Sequence, residues 1–239
     1  MRRREPELMD DEGLEVEPHL QALDALARVN RVSLTAARAW REVEHISKRR
    51  GAPVRVLDVA CGGGDVLIDL AERARRRGVE VELLGCDLSP VALERARARA
   101  ETAAAEEPSE ASLRFERRDV LTDALPSGAH LVLCSLFLHH LSEEEAIGLL
   151  RSMADACANV LLVQDLRRTR LGLAFAWLGL HTLTRSCVAR RDGLVSVRAA
   201  FSLTEARALA EEAGLGGTTV RRCWPQRFAL RWARPDDLS

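Results

Sequence analysis

The chain has 239 residues, 47% of them hydrophobic and 30% charged, with a formal net charge of −1. That length suits one α/β domain with an accessory cap, and the near-neutral balance excludes a general attraction to nucleic acid or to an anionic membrane, leaving only local patches. The six cysteines show no C-x-x-C and no His/Cys grouping at ligand spacing, so reduced thiols, a cytoplasmic setting and no metal are expected.

The first fifteen or so residues are acidic and uneven, without the apolar core of a signal peptide, and should fray. From Pro18 to Lys48, Leu20, Leu23, Leu26 and Ala27, then Leu34, Ala37, Trp40 and Val43, recur at spacings of three and four. That period predicts two amphipathic helices, a cap over residues 1–50 that either closes the site or covers one sheet face.

Residues 54–59 then read as a buried strand that passes through Asp58-Val-Ala-Cys-Gly62-Gly63-Gly64 into a helix over 64–77. Glycine lets the backbone approach a ligand closely, and the helix start turns unpaired N–H groups toward the same place. Ala60 in this turn is expected to keep a negative φ. Val81 to Asp87 forms a second strand, and its terminal acid suits a ribose diol, because one carboxylate accepts from both hydroxyls.

A helix over 90–106 opens on Pro90; strands follow at 112–118 and 129–135, then a helix over 143–157 entered through Ser142 and Glu145, and a strand at 159–164. Alternation of this kind predicts a mostly parallel sheet covered on both faces, with ligands at the carboxyl ends of the strands. The segment 167–200 holds Leu171 to Leu180, too short to span a bilayer. A last helix near 206–213 and an antiparallel pair flanking Pro225-Gln226 complete the chain.

The motifs Asp58 to Gly64, Gly85-Cys-Asp87-Leu-Ser, Arg118-Asp119-Val120 and Leu136-Phe-Leu-His139-His140-Leu resemble those of the class I S-adenosylmethionine-dependent methyltransferases. The resemblance covers roughly residues 50–165 and departs from the family at Ala60, where glycine is usual. It implies a Rossmann-like fold of seven strands over residues 51–239, with 167–200 as a substrate lid. It also implies S-adenosylmethionine as cofactor and S-adenosylhomocysteine as product. The turn Asp58, Ala60, Cys61, Gly62 and Gly64 would hold the methionine portion, Asp87 the ribose, Asp119 the adenine amino group, and Leu88 and Val120 the adenine faces, with Ser135 lining the same crevice.

For catalysis His139 and His140 are the candidates, because they follow the fourth strand at the edge of the crevice and imidazole titrates near neutrality, His139 being preferred as base; Asp165 resembles the acid found at that place in sugar and natural-product O-methyltransferases. Asp165 is expected across the cleft from the histidines, to orient a histidine or the acceptor hydroxyl, with a helix-capping role as the alternative. The sequence contains no tyrosine, so no phenol can serve instead. The apolar, Phe- and Trp-bearing insertion suggests a lipophilic or aromatic small-molecule acceptor, although a dimer surface or core packing reads equally well. After the fourth strand Ser135-Leu-Phe-Leu lacks the signature of enzymes that methylate exocyclic amino groups, which disfavours nucleic acid. Hydroxyl methylation, carbon methylation of a quinone or polyketide ring, a non-catalytic cofactor-binding protein and a nicotinamide-dependent dehydrogenase all stay open, the last weakened by the absence of G-x-G-x-x-G spacing.

Overall fold

A computed structural model describes residues 2–11, 13–50, 53–106 and 111–235. Its centre is a sheet of seven strands: β1 (Val54–Val59), β2 (Val81–Asp87), β3 (Ser112–Arg117), β4 (Ala129–Ser135), β5 (Cys157–Leu166), β6 (Thr219–Cys223) and β7 (Arg227–Ala233). The order is β3-β2-β1-β4-β5-β7-β6, parallel except for β7, which runs antiparallel to both neighbours. Strand order reverses between β1 and β4, and a reversal opens a crevice at the carboxyl ends of those two strands.

The helices are α1 (Val16–Val32), α2 (Thr35–Arg50), α3 (Asp65–Arg77), α4 (Pro90–Glu106), α5 (Glu143–Ala156), α6 (Arg170–Leu183), α7 (Cys187–Ala199) and α8 (Leu203–Glu212). Local chemistry sets their ends. Ser142 and Ser202 each close a capping box with a glutamate three residues on, Pro90 opens α4, and Gly78 terminates α3 in the left-handed conformation.

Alternation along the strands divides the interior into two layers. Val54, Val56, Leu131 and Leu133 pack under α2, α3 and α4, whereas Leu57, Val59, Val132 and Cys134 pack against α5 and α8. Burying a leucine such as Leu57 or Leu133 stabilises by roughly 1.5–3 kcal/mol, so the layering is strongly specified. Its consequence is positional. Asp58, Ser135 and Gln164 continue the first face, while Asp165, one residue further along β5, points to the second.

The two N-terminal helices form as their spacing predicts and divide the roles left open for them. Trp40, Val43 and Ile46 of α2 join the core beneath one sheet face, while α1 lies over the glycine turn, with Leu23 within 4 Å of where a Cβ would stand at Gly62 and Gly63. The insertion resolves into α6 and α7. Residues 2–11 are tied down rather than frayed, because they bond to distant parts of the chain described below.

Candidate active site

The crevice starts at Asp58, 2% exposed near the end of β1. Its Oδ1 has no hydrogen-bond partner. Burial, then the nearby charges of Asp65 and Asp87, push its pKa from the ordinary 3.8 to about 8. An acid in that state is poised for a cation: an ammonium group placed against it would restore its charge. On the same sheet face, the buried Oγ of Ser135 at the end of β4 also has no partner.

The turn after β1 is tighter than the sequence suggests. Ala60 adopts φ +56°, against the expectation of a negative value, as does Leu136 just after β4. Each left-handed non-glycine residue costs on the order of 1 kcal/mol, and the two sit at the ends of the two strands that flank the switch point. The cost at Ala60 is held by its neighbours, since Cys61 N–H donates to Cys86 O at 3.0 Å and Gly62 N–H donates to Asp87 Oδ2 at 2.7 Å. Gly64 has no substitute: at φ +70° a Cβ there would stand 2.7 Å from Phe115 and 2.9 Å from Ala96.

Asp87 is thereby fixed, its other oxygen accepting from Ser89 N–H at 2.9 Å. Burial raises its pKa, opposed by those backbone bonds and by His19 of α1. Two accepted bonds leave lone pairs on both carboxylate oxygens, which is what a diol needs. The cap is secured over this turn by Asp24, bidentate to Arg95 at 2.8 and 3.0 Å and bonded to Arg99 at 2.8 Å. Asn30 donates to Asp65 at 3.1 Å, and Arg227, buried at 2% exposure, reaches Asn30 and Thr35.

The remaining predicted cofactor contacts are less uniform. Leu88 is 53% exposed, as an adenine-facing side chain at a crevice rim can be, whereas Val120 is buried in the core layer beneath β1 and β4. Asp119 already accepts from Leu121 N–H at 3.0 Å in a local turn. Cys61 is buried, its thiol pushed well up by burial and then by Asp58 and Asp87, so it lines the turn without reactivity.

His139 and His140 lie in a short 3-10 turn, Leu138–His140, after β4. Asp165 does not stand across a cleft from them. Its Oδ1 is 2.7 Å from His139 Nδ1, and its Oδ2 accepts the His139 backbone N–H at 3.0 Å. Strand alternation along β5 turns Asp165 to the face opposite Asp58 and Ser135. His139 is therefore a buried, oriented imidazole, 3% exposed.

The partner that sequence reasoning missed is Glu7. Its carboxylate lies 3.5 Å from His139 Nε2 and 3.7 Å from His140 Nε2, and it accepts the hydroxyl of Ser196. Burial disfavours charge on His139, but Asp165 and then Glu7 outweigh it and push the pKa up to about 10. Burial likewise opposes ionisation of Glu7, yet His139 and His140 bring its pKa below the ordinary value. The segment carrying Glu7 is anchored on both sides. Arg2 donates to His139 O and Leu141 O at 3.0 and 2.6 Å and stacks 3.8 Å over Phe201, while Asp192 of α7 accepts from Leu8 and Met9 N–H at 3.0 Å each.

Glu7, His139 and His140 line a cavity of about 180 Å³ with Pro6 and Ala199. They also bring one potential ligand atom each within 4.8 Å of one another, a spacing that a cation could use. Ion pairing and Ser196 already satisfy the Glu7 carboxylate. A glutamate among scattered N-terminal acids carries no spacing signal, so nothing short of the fold could have singled it out.

Residues 56–159 match the family model described as a methyltransferase domain. The chain is 38% identical over 106 residues to a demethylmenaquinone methyltransferase of Deinococcus radiodurans, an alignment covering 44% of this chain and 39% of the relative, so it spans well under half of that protein. Among solved structures it resembles the plantazolicin methyltransferase BpumL, determined with S-adenosylhomocysteine, at TM-score 0.63 and 14% identity, covering 91% of each chain. It also resembles the magnesium protoporphyrin IX methyltransferase of Synechocystis PCC 6803 at TM-score 0.54 and 18% identity, covering 91% of this chain and 84% of that one. At such identities the structural likeness speaks for the fold alone. The matched stretch of residues 56–159 and the sheet order together resemble the class I S-adenosylmethionine-dependent methyltransferases.

Proposed function

We propose that the protein transfers the methyl group of S-adenosylmethionine to a hydroxyl, most simply a phenol, of a lipophilic or aromatic small molecule. The observation that carries the cofactor half is Asp58, a buried carboxyl with an unpartnered oxygen on the same rigid turn that presents Asp87. Asp58 would face the ammonium group, Asp87 the ribose hydroxyls, and the Gly62–Gly64 backbone the methionine portion. When bound, the cofactor supplies an activated methyl carbon, so the chain's task is alignment, exclusion of water and removal of one proton.

The cluster around Glu7 suits that last task, and its electrostatics move the preferred base from His139 to His140. With a pKa near 10, His139 keeps its proton at neutral pH, so it serves as a charged bridge between Asp165 and Glu7. His140 is less enclosed, with its side chain 21% exposed, and lines the cavity beside Glu7. We assign it the acceptor's proton, with Glu7 stabilising the imidazolium that forms.

A second reading is carbon methylation of a quinone or phenol ring, favoured by the name of the Deinococcus relative. The same proton removal would activate the ring carbon. Both readings are tested by incubating the protein with methyl-labelled S-adenosylmethionine and a panel of phenols and quinone precursors, then locating the label by NMR. Label on oxygen supports the first reading and label on a ring carbon the second; binding of cofactor with no transfer to any acceptor would sink both.

A further inference from the structure

Helix α6 presents its apolar stripe outward. Leu171, Ala174, Phe175 and Leu178 fall at helical spacings of three and four, the pattern that ordinarily seals a helix to its core, yet all four are exposed, as is Trp177. Leu171, Trp177 and Leu178 are 55%, 55% and 59% exposed, while Gly172 and Leu180 face inward. Trp224 in the β6–β7 turn, 59% exposed, extends the patch, meeting Phe175 edge-on at 5.6 Å between ring centroids. Gathering so many large apolar side chains on one face marks an interaction site.

The charge around the patch says what the partner is. Residues 166–191 contain arginines at 167, 168, 170, 185, 190 and 191 and no acid, and residues 213–235 contain five more arginines and no acid, in a chain whose net charge is −1; of these Arg227 is buried, and Arg168 and Arg231 are paired with Glu205 and Glu42. Arg170 and Arg185 are exposed at the two ends of α6, and Arg221 and Arg222 are exposed on the strand that leads into Trp224. A short apolar helix with interfacial tryptophans and cations at its rim matches an anionic bilayer surface. At 1.5 Å per residue the helix reaches roughly 21 Å, short of the roughly 30 Å hydrocarbon core, and no helix among the described residues is long and apolar enough to cross a membrane.

We propose that the exposed α6–Trp224 face seats this protein on an anionic lipid surface, lying in the interface without spanning it. The inference is independent of which acceptor atom receives the methyl group. It offers a reason for an apolar face beside the α7 helix that closes over the histidines, since a lipophilic acceptor could then be taken from the bilayer.

The full chain is titrated with vesicles of phosphatidylcholine alone or mixed with phosphatidylglycerol, following co-sedimentation and tryptophan emission. Of the four tryptophans, Trp40 and Trp232 are buried at 6% and 7% exposure, so a blue shift reports on Trp177 and Trp224. Binding with a blue shift is expected for the anionic vesicles only, weakening with salt. The pair Arg170→Gln/Arg185→Gln should reduce partitioning about 25-fold, and Trp177→Ala/Leu178→Ala roughly 10-fold or more. All four positions are exposed, so the fold should survive, as circular dichroism would check. Failure to bind anionic vesicles, or binding untouched by both variant pairs, overturns the proposal. So does a concentration-dependent dimer that Trp177→Ala/Leu178→Ala dissolves while no vesicle is bound, which would make the face a contact between two copies.

Discussion

The cofactor crevice and the closure over the histidines differ in how far along the chain their parts are drawn from. In the crevice, Gly62 meets Asp87 across 25 positions, and strand, turn and next strand almost suffice to place both. Over the histidines, Ser196 meets Glu7 across 189 positions and Arg2 meets His139 across 137. A local motif builds a rigid, partly strained receptor, over which α1 is then pinned through Asp24 and Asn30. The closure depends on the whole fold, and its charges supply the order that local geometry does not.

That contrast can be broken at either end. Replacing Asp87 by alanine should have the largest effect, because it removes the proposed diol acceptor and frees the Gly62 and Ser89 amides together. Affinity for S-adenosylmethionine should fall by about 100-fold or more, two charged hydrogen bonds being at stake; equilibrium dialysis with labelled cofactor reads it, and unchanged affinity would remove Asp87 from the site. His140→Ala should lower turnover by about 100-fold with little change in cofactor affinity, and full activity would leave alignment alone as the catalytic device.

Glu7→Gln addresses the closure itself. It keeps the acceptor for Ser196 but removes the charge shared by the two imidazoles, a loss of about 1–2 kcal/mol that thermal unfolding should show as several degrees. His139 has its pKa raised from 6.5 to about 10 in the folded protein. Its contribution is therefore complete below pH 6.5 and fades as pH climbs through 10, so the penalty of Glu7→Gln should shrink in alkaline solution. A penalty that grew with pH would mean the ion pair is misread.

Asp58→Asn works in the opposite direction. A carboxyl raised from 3.8 to about 8 destabilises the fold increasingly as pH rises between those values. The asparagine variant should melt at least about 3 °C higher than the parent at neutral pH without ligand, with the gain vanishing toward pH 4, while binding cofactor more weakly. Ala60→Gly should have the smallest effect, relieving the left-handed φ but loosening the unfolded chain, for a net change within about 1 kcal/mol.

The strands and most helices were legible in the sequence because each carries its own period and its own caps: Ser142 with Glu145, Pro90, and the alternation through β1 and β4. Asp87 and the glycines were legible for the same reason. Ala60 was misjudged because propensity alone disfavours a left-handed alanine, whereas the bonds at Cys61 and Gly62 hold it there. Asp165 was placed on the wrong side because its face depends on strand register, and one residue of offset reverses the direction of a side chain. Glu7 could not be found at all: its partners are brought together by α7 and the turn after β4, and composition makes an acidic N-terminus look solvated.

The most direct measurement is a calorimetric titration of the full chain with S-adenosylmethionine and, separately, with NADH. Saturable binding of one S-adenosylmethionine per chain is expected, weakened about 100-fold or more in Asp87→Ala, with no heat from NADH. Binding of NADH in place of S-adenosylmethionine, or equal binding by Asp87→Ala, would contradict this expectation.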